Sequence, residues 1–129
     1  MKKEIIINVF IIAFVIIINS LSLNYTSVSV SEMNNKLRDL KEVSLKKEKN
    51  NEEIIEISKS IYEEWKIKEE VLSYYIEHNE LEKVNTLMES FCSFFEADLN
   101  EDAIPEIDKC IYILYHIQQK QEFTLRNIF

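Results

Sequence analysis

No glycine occurs in the 129 residues, and proline occurs once. A chain without glycine has no residue that enters the left-handed backbone region without steric cost. It therefore lacks the Gly-rich phosphate loop, the dinucleotide fingerprint, the G-x-S-x-G nucleophile elbow and the Asn-Gly hairpin, each of which needs a position free of Cβ. Most nucleotide-dependent enzymes are disfavoured on that ground, and the hydrophobic patterning has to do the rest of the work.

The amino terminus is the most apolar part. Lys2 and Lys3 precede Ile5 to Ile18, a run in which Asn8 is the only polar residue, and no charge appears before Leu23. Those 19 uncharged residues form about 28 Å of helix at 1.5 Å per residue, close to the thickness of a bilayer's hydrocarbon core. The expectation is a transmembrane helix over 5–23, acting as an uncleaved signal anchor after a cytoplasmic basic start at 1–4. The rival reading is a cleaved signal peptide, with Ser20-Leu21-Ser22 or Ser27-Val28-Ser29 as small-x-small sites. The first basic residue after the run is Lys36, so the positive-inside rule places the remainder outside the cytoplasm. Beyond Tyr25 there are 13 basic against 22 acidic residues. A domain this acidic is not expected to bind nucleic acid or anionic surfaces by charge.

Residues 24–50 read as linker and stalk. Tyr25 to Val30, YTSVSV, holds no strong helix former, so it is expected to be a juxtamembrane linker, with Ser31 capping a weakly packed helix marked by Met33, Leu37 and Leu40. KKEKNNEE, residues 46–53, has nothing to bury. From residue 51 to 129 the pattern predicts a helical bundle. Asn50 and Glu53 form a candidate capping box, and Ile54, Ile57, Ile61, Trp65, Lys68, Leu72 and Tyr75 follow one helical face. The next apolar set, Leu81, Val84, Met88, Phe91 and Phe95, lies roughly 150° around from the first at 100° per residue. That phase break predicts a turn at His78-Asn79, the alternative being one continuous helix from 51 to 97. A last helix is expected from about Ala103 to Gln121, with Pro105 in its first turn and a stripe of Ile104, Ile107, Cys110 or Ile111, Leu114 and Ile117. The apolar tail, with Phe123, Leu125, Ile128 and Phe129, is expected to fold back onto the bundle.

The basic start and apolar helix, Trp65, Tyr75-Ile76-Glu77-His78-Asn79-Glu80-Leu81, Leu114-Tyr115-His116-Ile117 and the ending Leu125-Arg126-Asn127-Ile128-Phe129 together resemble the small bacterial family called domain of unknown function 4363. The resemblance covers nearly the whole chain. It implies a membrane-anchored helical protein and carries no activity with it. Pro105 departs from the family pattern, where a plain helix start is expected.

Few constellations could carry chemistry. Cys92 and Cys110 fall at matching heights on the two arms of a helical hairpin, so they are either a disulfide, which would contribute about 3 kcal/mol in the chain-entropy model, or two small apolar core residues. His78, Glu80 and His116 fall near one end of the bundle and are weak metal candidates, although the sequence has neither H-E-x-x-H nor a P-C-x-x-C partner. Asp98-x-Asn100-x-Asp102 has the opening of a calcium loop, but Ala103 stands where glycine is wanted. No serine or cysteine can be placed beside a histidine with an orienting acid.

The expected fold is all-α: an N-terminal transmembrane helix followed by an extracytoplasmic bundle of three to four antiparallel helices. The expected function is that of a non-enzymatic accessory or scaffold subunit without cofactor, contacting another cell-envelope membrane protein or a second copy of itself. Tyr62, Tyr74, Tyr112 and Tyr115 are the candidate contact residues. The alternative is an extracytoplasmic sensor or a ligand- or metal-binding domain using the His78/His116 end.

Overall fold

The structure, a computed structural model, describes residues 1–128, with the side chains of Leu125 and Ile128 outside the described set. Four α-helices follow in order: α1 (Lys2–Leu45), α2 (Asn51–Leu72), α3 (His78–Glu96) and α4 (Asn100–Ile128), with no strand among the described residues. Each helix packs on its neighbour in sequence, and α4 closes the ring against α1. The protein is thus an all-α, up-down-up-down four-helix bundle whose first helix projects well beyond the others. The projecting part is long and apolar enough to cross a membrane, and none of it is buried in the bundle.

The largest departure from the sequence reading lies in α1. Residues 24–30 are not a linker, and 32–45 are not a loosely packed stalk: α1 runs unbroken through both. Thr26, Ser29, Val30, Met33, Asn34, Leu37, Leu40 and Ser44 are buried along it, recurring every three or four residues as one helical face. Met33, Leu37 and Leu40 are fully enclosed. Burial of this face overrides the poor helix propensity of YTSVSV. Two of the hydroxyls bond within the helix: Thr26 Oγ1 donates to the Ser22 carbonyl (2.9 Å) and Ser44 Oγ to the Leu40 carbonyl (2.6 Å).

Helix α2 begins as its capping residues dictate. The Asn50 side chain accepts from the backbone N–H groups of Glu52 (3.1 Å) and Glu53 (3.4 Å). Ile54, Ile61, Trp65 and Leu72 are buried along one face together with Ser58, and Ile57 packs half-buried against the same core. The buried indole of Trp65 donates to Asn85 Oδ1 on α3 (2.6 Å), and Asn85 Nδ2 donates to Glu69 Oε1 (2.6 Å). On the other side, Lys68 pairs with Glu32 of α1 (2.7 Å) and with Glu64 (3.7 Å), while Lys36 of α1 pairs with Glu64. Burial pulls the Lys68 ammonium down, but the hydrogen bond and charge of Glu32 outweigh it and hold it above its ordinary range.

The phase break does separate two helices, but earlier than His78-Asn79. The turn occupies 73–77, where Tyr74 N donates to the Val71 carbonyl and Tyr75 and Ile76 N to that of Leu72. Helix α3 starts at His78, so Asn79 and Glu82 lie in its first turns, and its N-cap, Glu77, makes no side-chain capping bond. Leu81, Val84, Met88, Phe91 and Phe95 are all buried.

The connection from α3 to α4 has to turn without glycine, and Asp98 takes the left-handed position at φ 60°. Leu99 N bonds to the Phe94 carbonyl (2.8 Å) and Asp98 N to that of Phe95 (3.1 Å), the paired bonds of a Schellman cap. Asn51 Nδ2 donates to Asp98 Oδ1 (2.7 Å) and Asn100 Nδ2 to Asn51 Oδ1 (3.3 Å), tying this turn to the start of α2. No calcium loop forms, because α4 begins at once.

Helix α4 starts at Asn100, three residues before the expected Ala103, and Pro105 lies inside it beyond the first turn. Pro105 is on the solvent side, so the one carbonyl it leaves unpaired, that of Glu101, can turn to water. Ala103, Ile107, Cys110, Leu114 and Ile117 form the buried face, so Cys110 and not Ile111 completes the stripe. The expected fold-back of the tail does not occur at the backbone. The helix continues to Ile128 and Phe123 is exposed; the side chains of Leu125 and Ile128, and Phe129, lie outside the described residues.

Candidate interaction surface

Three of the four candidate tyrosines are exposed. Tyr74, at 88% exposure, projects from the α2–α3 turn, and Tyr112 (69%) and Tyr115 (53%) lie on the outer face of α4. Tyr62 does not join them: it is half-buried against the core, with the Lys66 ammonium 4.6 Å from its ring centroid.

The outer face of α4 is a stripe with helical period. Tyr112, Tyr115, His116, Gln119, Phe123 and Arg126 fall within roughly 60° of one line at 100° per residue, and all six are exposed. His116 stacks on Tyr112, with ring planes 11° apart and centroids 6.5 Å apart. Gln119 Nε2 donates to the Tyr115 hydroxyl (2.8 Å). Beside the upper part of the stripe an open groove of about 640 Å³ runs between α3 and α4, floored by Leu87, Tyr112 and Ile113 and rimmed by Lys83, Asp108 and Lys109. A second set of exposed apolar residues is Ile67 and Val71 on α2 with Tyr74 in the turn that follows.

His78, Glu80 and His116 are not brought together as a ligand set. His78 faces Glu82 at 3.7 Å, Glu80 takes Lys83 at 3.3 Å, and His116 is occupied by the tyrosine stack. Among the described residues no three His, Cys, Asp or Glu side chains form a group that could hold a metal ion. The same end of the bundle does contain a half-open cavity of about 310 Å³, where Ile18, Asn19 and Ser22 of α1 face Tyr75, Ile76 and Thr124. Gln121, also in its lining, has a buried Oε1 without a hydrogen-bond partner. Of the three residues named from the sequence, Glu80 lines it and neither histidine does.

Cys92 and Cys110 are free and buried. Burial pushes the Cys110 thiol up to about 12. Burial also raises the Cys92 thiol, against the hydrogen bond it makes with Ser58. Both are held as thiols, the poorly nucleophilic form. In the native protein at pH 8, iodoacetamide should therefore modify Cys110 about a thousandfold more slowly than an unperturbed thiol, from the thiolate fraction alone. The rate should keep rising with pH to beyond pH 10, because only the thiolate reacts. Mass spectrometry after timed labelling reads this; a protein in which neither residue labels until a reductant is added to the unfolded chain would instead be bridged.

Residues 20–128 match the family described as Domain of unknown function (DUF4363). The match begins within the apolar helix and takes in α1's buried face as well as the other three helices. The chain matches no curated protein and no solved structure.

Proposed function

We propose, for a chain that belongs to the DUF4363 family, the role of a non-enzymatic accessory or scaffold subunit. It is held in the cell membrane by the N-terminal part of α1 and displays its bundle outside the cytoplasm. The observation that carries this reading is the stripe on α4, in which Tyr112 (69%) and Tyr115 (53%) stand exposed, Tyr112 in the wall of an apolar groove. Tyrosines supply large contact area at low entropic cost and are enriched where proteins meet. A chemical observation supports it too: burial holds both thiols in the protonated form, and the exposed His116 is stacked on Tyr112.

Orientation rests on Lys2 and Lys3 before the apolar run and on the distance to the next basic residue, Lys36. The partner is another envelope membrane protein or a second copy of this chain. Its contact surface is expected to be basic or neutral, since the bundle is acidic.

The experiment is recovery of crosslinked complexes from native membranes with the tagged full chain and with a Tyr112→Ala, Tyr115→Ala double variant. Removing two central aromatic anchors costs about 2 kcal/mol or more at a typical interface, so recovery of the partner should fall at least tenfold while the amount of protein in the membrane is unchanged. Equal recovery with both forms would overturn the reading. The cavity at the membrane-facing end supports a second one, a ligand-binding domain, which gains if no partner is recovered with either form.

A further inference from the structure

The end of α4 lies low on α1, level with its apolar stretch. Gln118 Nε2 donates to Ser27 Oγ (3.3 Å), which sets the two antiparallel helices in register. From that point α4 descends ten further residues to Ile128, about 15 Å at helical rise, which brings its end opposite roughly residue 17 of α1. The cavity lining agrees, because Thr124 there shares a wall with Ile18 and Ser22. The α2–α3 turn is fixed at the same height: the Tyr75 hydroxyl donates to the Ser22 carbonyl (3.2 Å) and lies 2.9 Å from Thr26 Oγ1.

A helix needs about 20 apolar residues to cross the hydrocarbon core, and the mainly apolar stretch of α1 from Ile5 to Leu23 has 19, after which Asn24, Thr26, Ser27 and Ser29 make the helix polar. Stopping the span at Ile18 would leave only 14 residues from Ile5, about 21 Å, well short of the core. Residues 18–23 must therefore lie at the outer boundary of the hydrocarbon, and whatever stands beside them lies there too. At the same height, by the register of α4 and by the Tyr75 contact, come Phe123 (68% exposed) and Tyr74 (88%), aromatic residues of the kind found at membrane interfaces. Between Phe123 and Ile128 the only charge is Arg126, whose long stem lets a guanidinium reach the phosphate layer.

We propose that the last two turns of α4, with Tyr74 from the α2–α3 turn, form an interfacial collar that beds the bundle on the phospholipid of the outer leaflet. This rests on the reading of α1 as a membrane span. The collar reaches about 5–10 Å into the headgroup and acyl boundary. It fixes the bundle's height and rotation above the membrane, and the Gln121 cavity then opens onto the headgroup layer.

The test uses the full chain in vesicles of phosphatidylcholine and phosphatidylglycerol, carrying one spin label at a time through Phe123→Cys, Tyr74→Cys, Tyr112→Cys or Phe10→Cys, all exposed positions. Cys92 and Cys110 stay buried and unlabelled. Oxygen, which partitions into lipid, should relax the labels at 10, 74 and 123 more than a water-soluble nickel chelate does, with the reverse at 112. A label at 123 that reads like 112, while 10 reads as lipid, overturns the collar and leaves the span standing. A label at 10 that reads as water overturns the span and the collar with it. If 123 is shielded from both reagents, a protein surface covers it, and the lipid assignment fails.

Discussion

Replacing Trp65 by alanine should lower the stability of the folded bundle by about 3–5 kcal/mol, the range for truncating a fully enclosed aromatic side chain. Trp65 has no exposed surface and joins α2 to α3 through its indole N–H and Asn85. The truncation leaves a cavity and removes the donor that Asn85 faces. Asn85→Ala isolates the polar part: it keeps the ring but leaves a buried N–H unpaired, at a cost of about 1–3 kcal/mol. Thermal unfolding of the full chain in detergent, followed by circular dichroism, should show a melting temperature lowered by about 10 °C or more for Trp65→Ala and a smaller drop for Asn85→Ala. Equal small effects would mean that α2 and α3 are not locked by this pair, and the groove between α3 and α4 would lose its rigid backing.

Leu37→Ala carries the second large effect, about 2–5 kcal/mol. It separates two views of α1. As a stalk residue outside the bundle, Leu37 could be truncated within about 0.5 kcal/mol. As part of the bundle's first wall, where it is fully enclosed, it cannot. The same melting experiment reads the difference. A large loss would also mean that no hinge separates the apolar stretch from the bundle, because α1 continues from one into the other without a break.

How far these features could be read from the chain depended on which residues carried them. The α2, α3 and α4 faces were legible because Ile, Leu, Phe, Met and Trp mark them at helical spacing, and the shift of phase between Tyr75 and Leu81 separated α2 from α3 although nothing in the composition forces a stop. Asn50 announced its own helix. The buried face of α1 was half legible: Met33, Leu37 and Leu40 showed, but Thr26, Ser29 and Ser44 did not, because small hydroxyl residues read as linker. Their place in phase with Val30, Met33, Leu37 and Leu40 was the available signal, and a hydroxyl that bonds the carbonyl four residues back, as Thr26 and Ser44 do, can enter a core. The α3–α4 turn hid for the opposite reason. A left-handed cap usually announces itself with glycine, and here aspartate does the job at an accepted steric cost.

The surface was legible in kind more than in place. Tyr74, Tyr112 and Tyr115 are exposed, whereas Tyr62 is drawn into the core beside Lys66. The groove and the cavity belong to pairs of helices, and no one-dimensional pattern contains them. The height of the α4 tail against α1 is likewise a property of register, fixed by Gln118 and Ser27 across 91 positions of sequence.

Both the contact surface and the interfacial collar depend on one claim, that the N-terminal part of α1 crosses the membrane and the bundle stands outside. Labelling intact cells with a membrane-impermeant maleimide tests it directly, using Lys47→Cys in the exposed α1–α2 loop and Lys2→Cys at the start of the chain. The buried native thiols supply an unreactive background. Position 47 should label in intact cells and position 2 only after permeabilisation; labelling of position 2 alone in intact cells, or of neither until the cells are opened, would contradict the account.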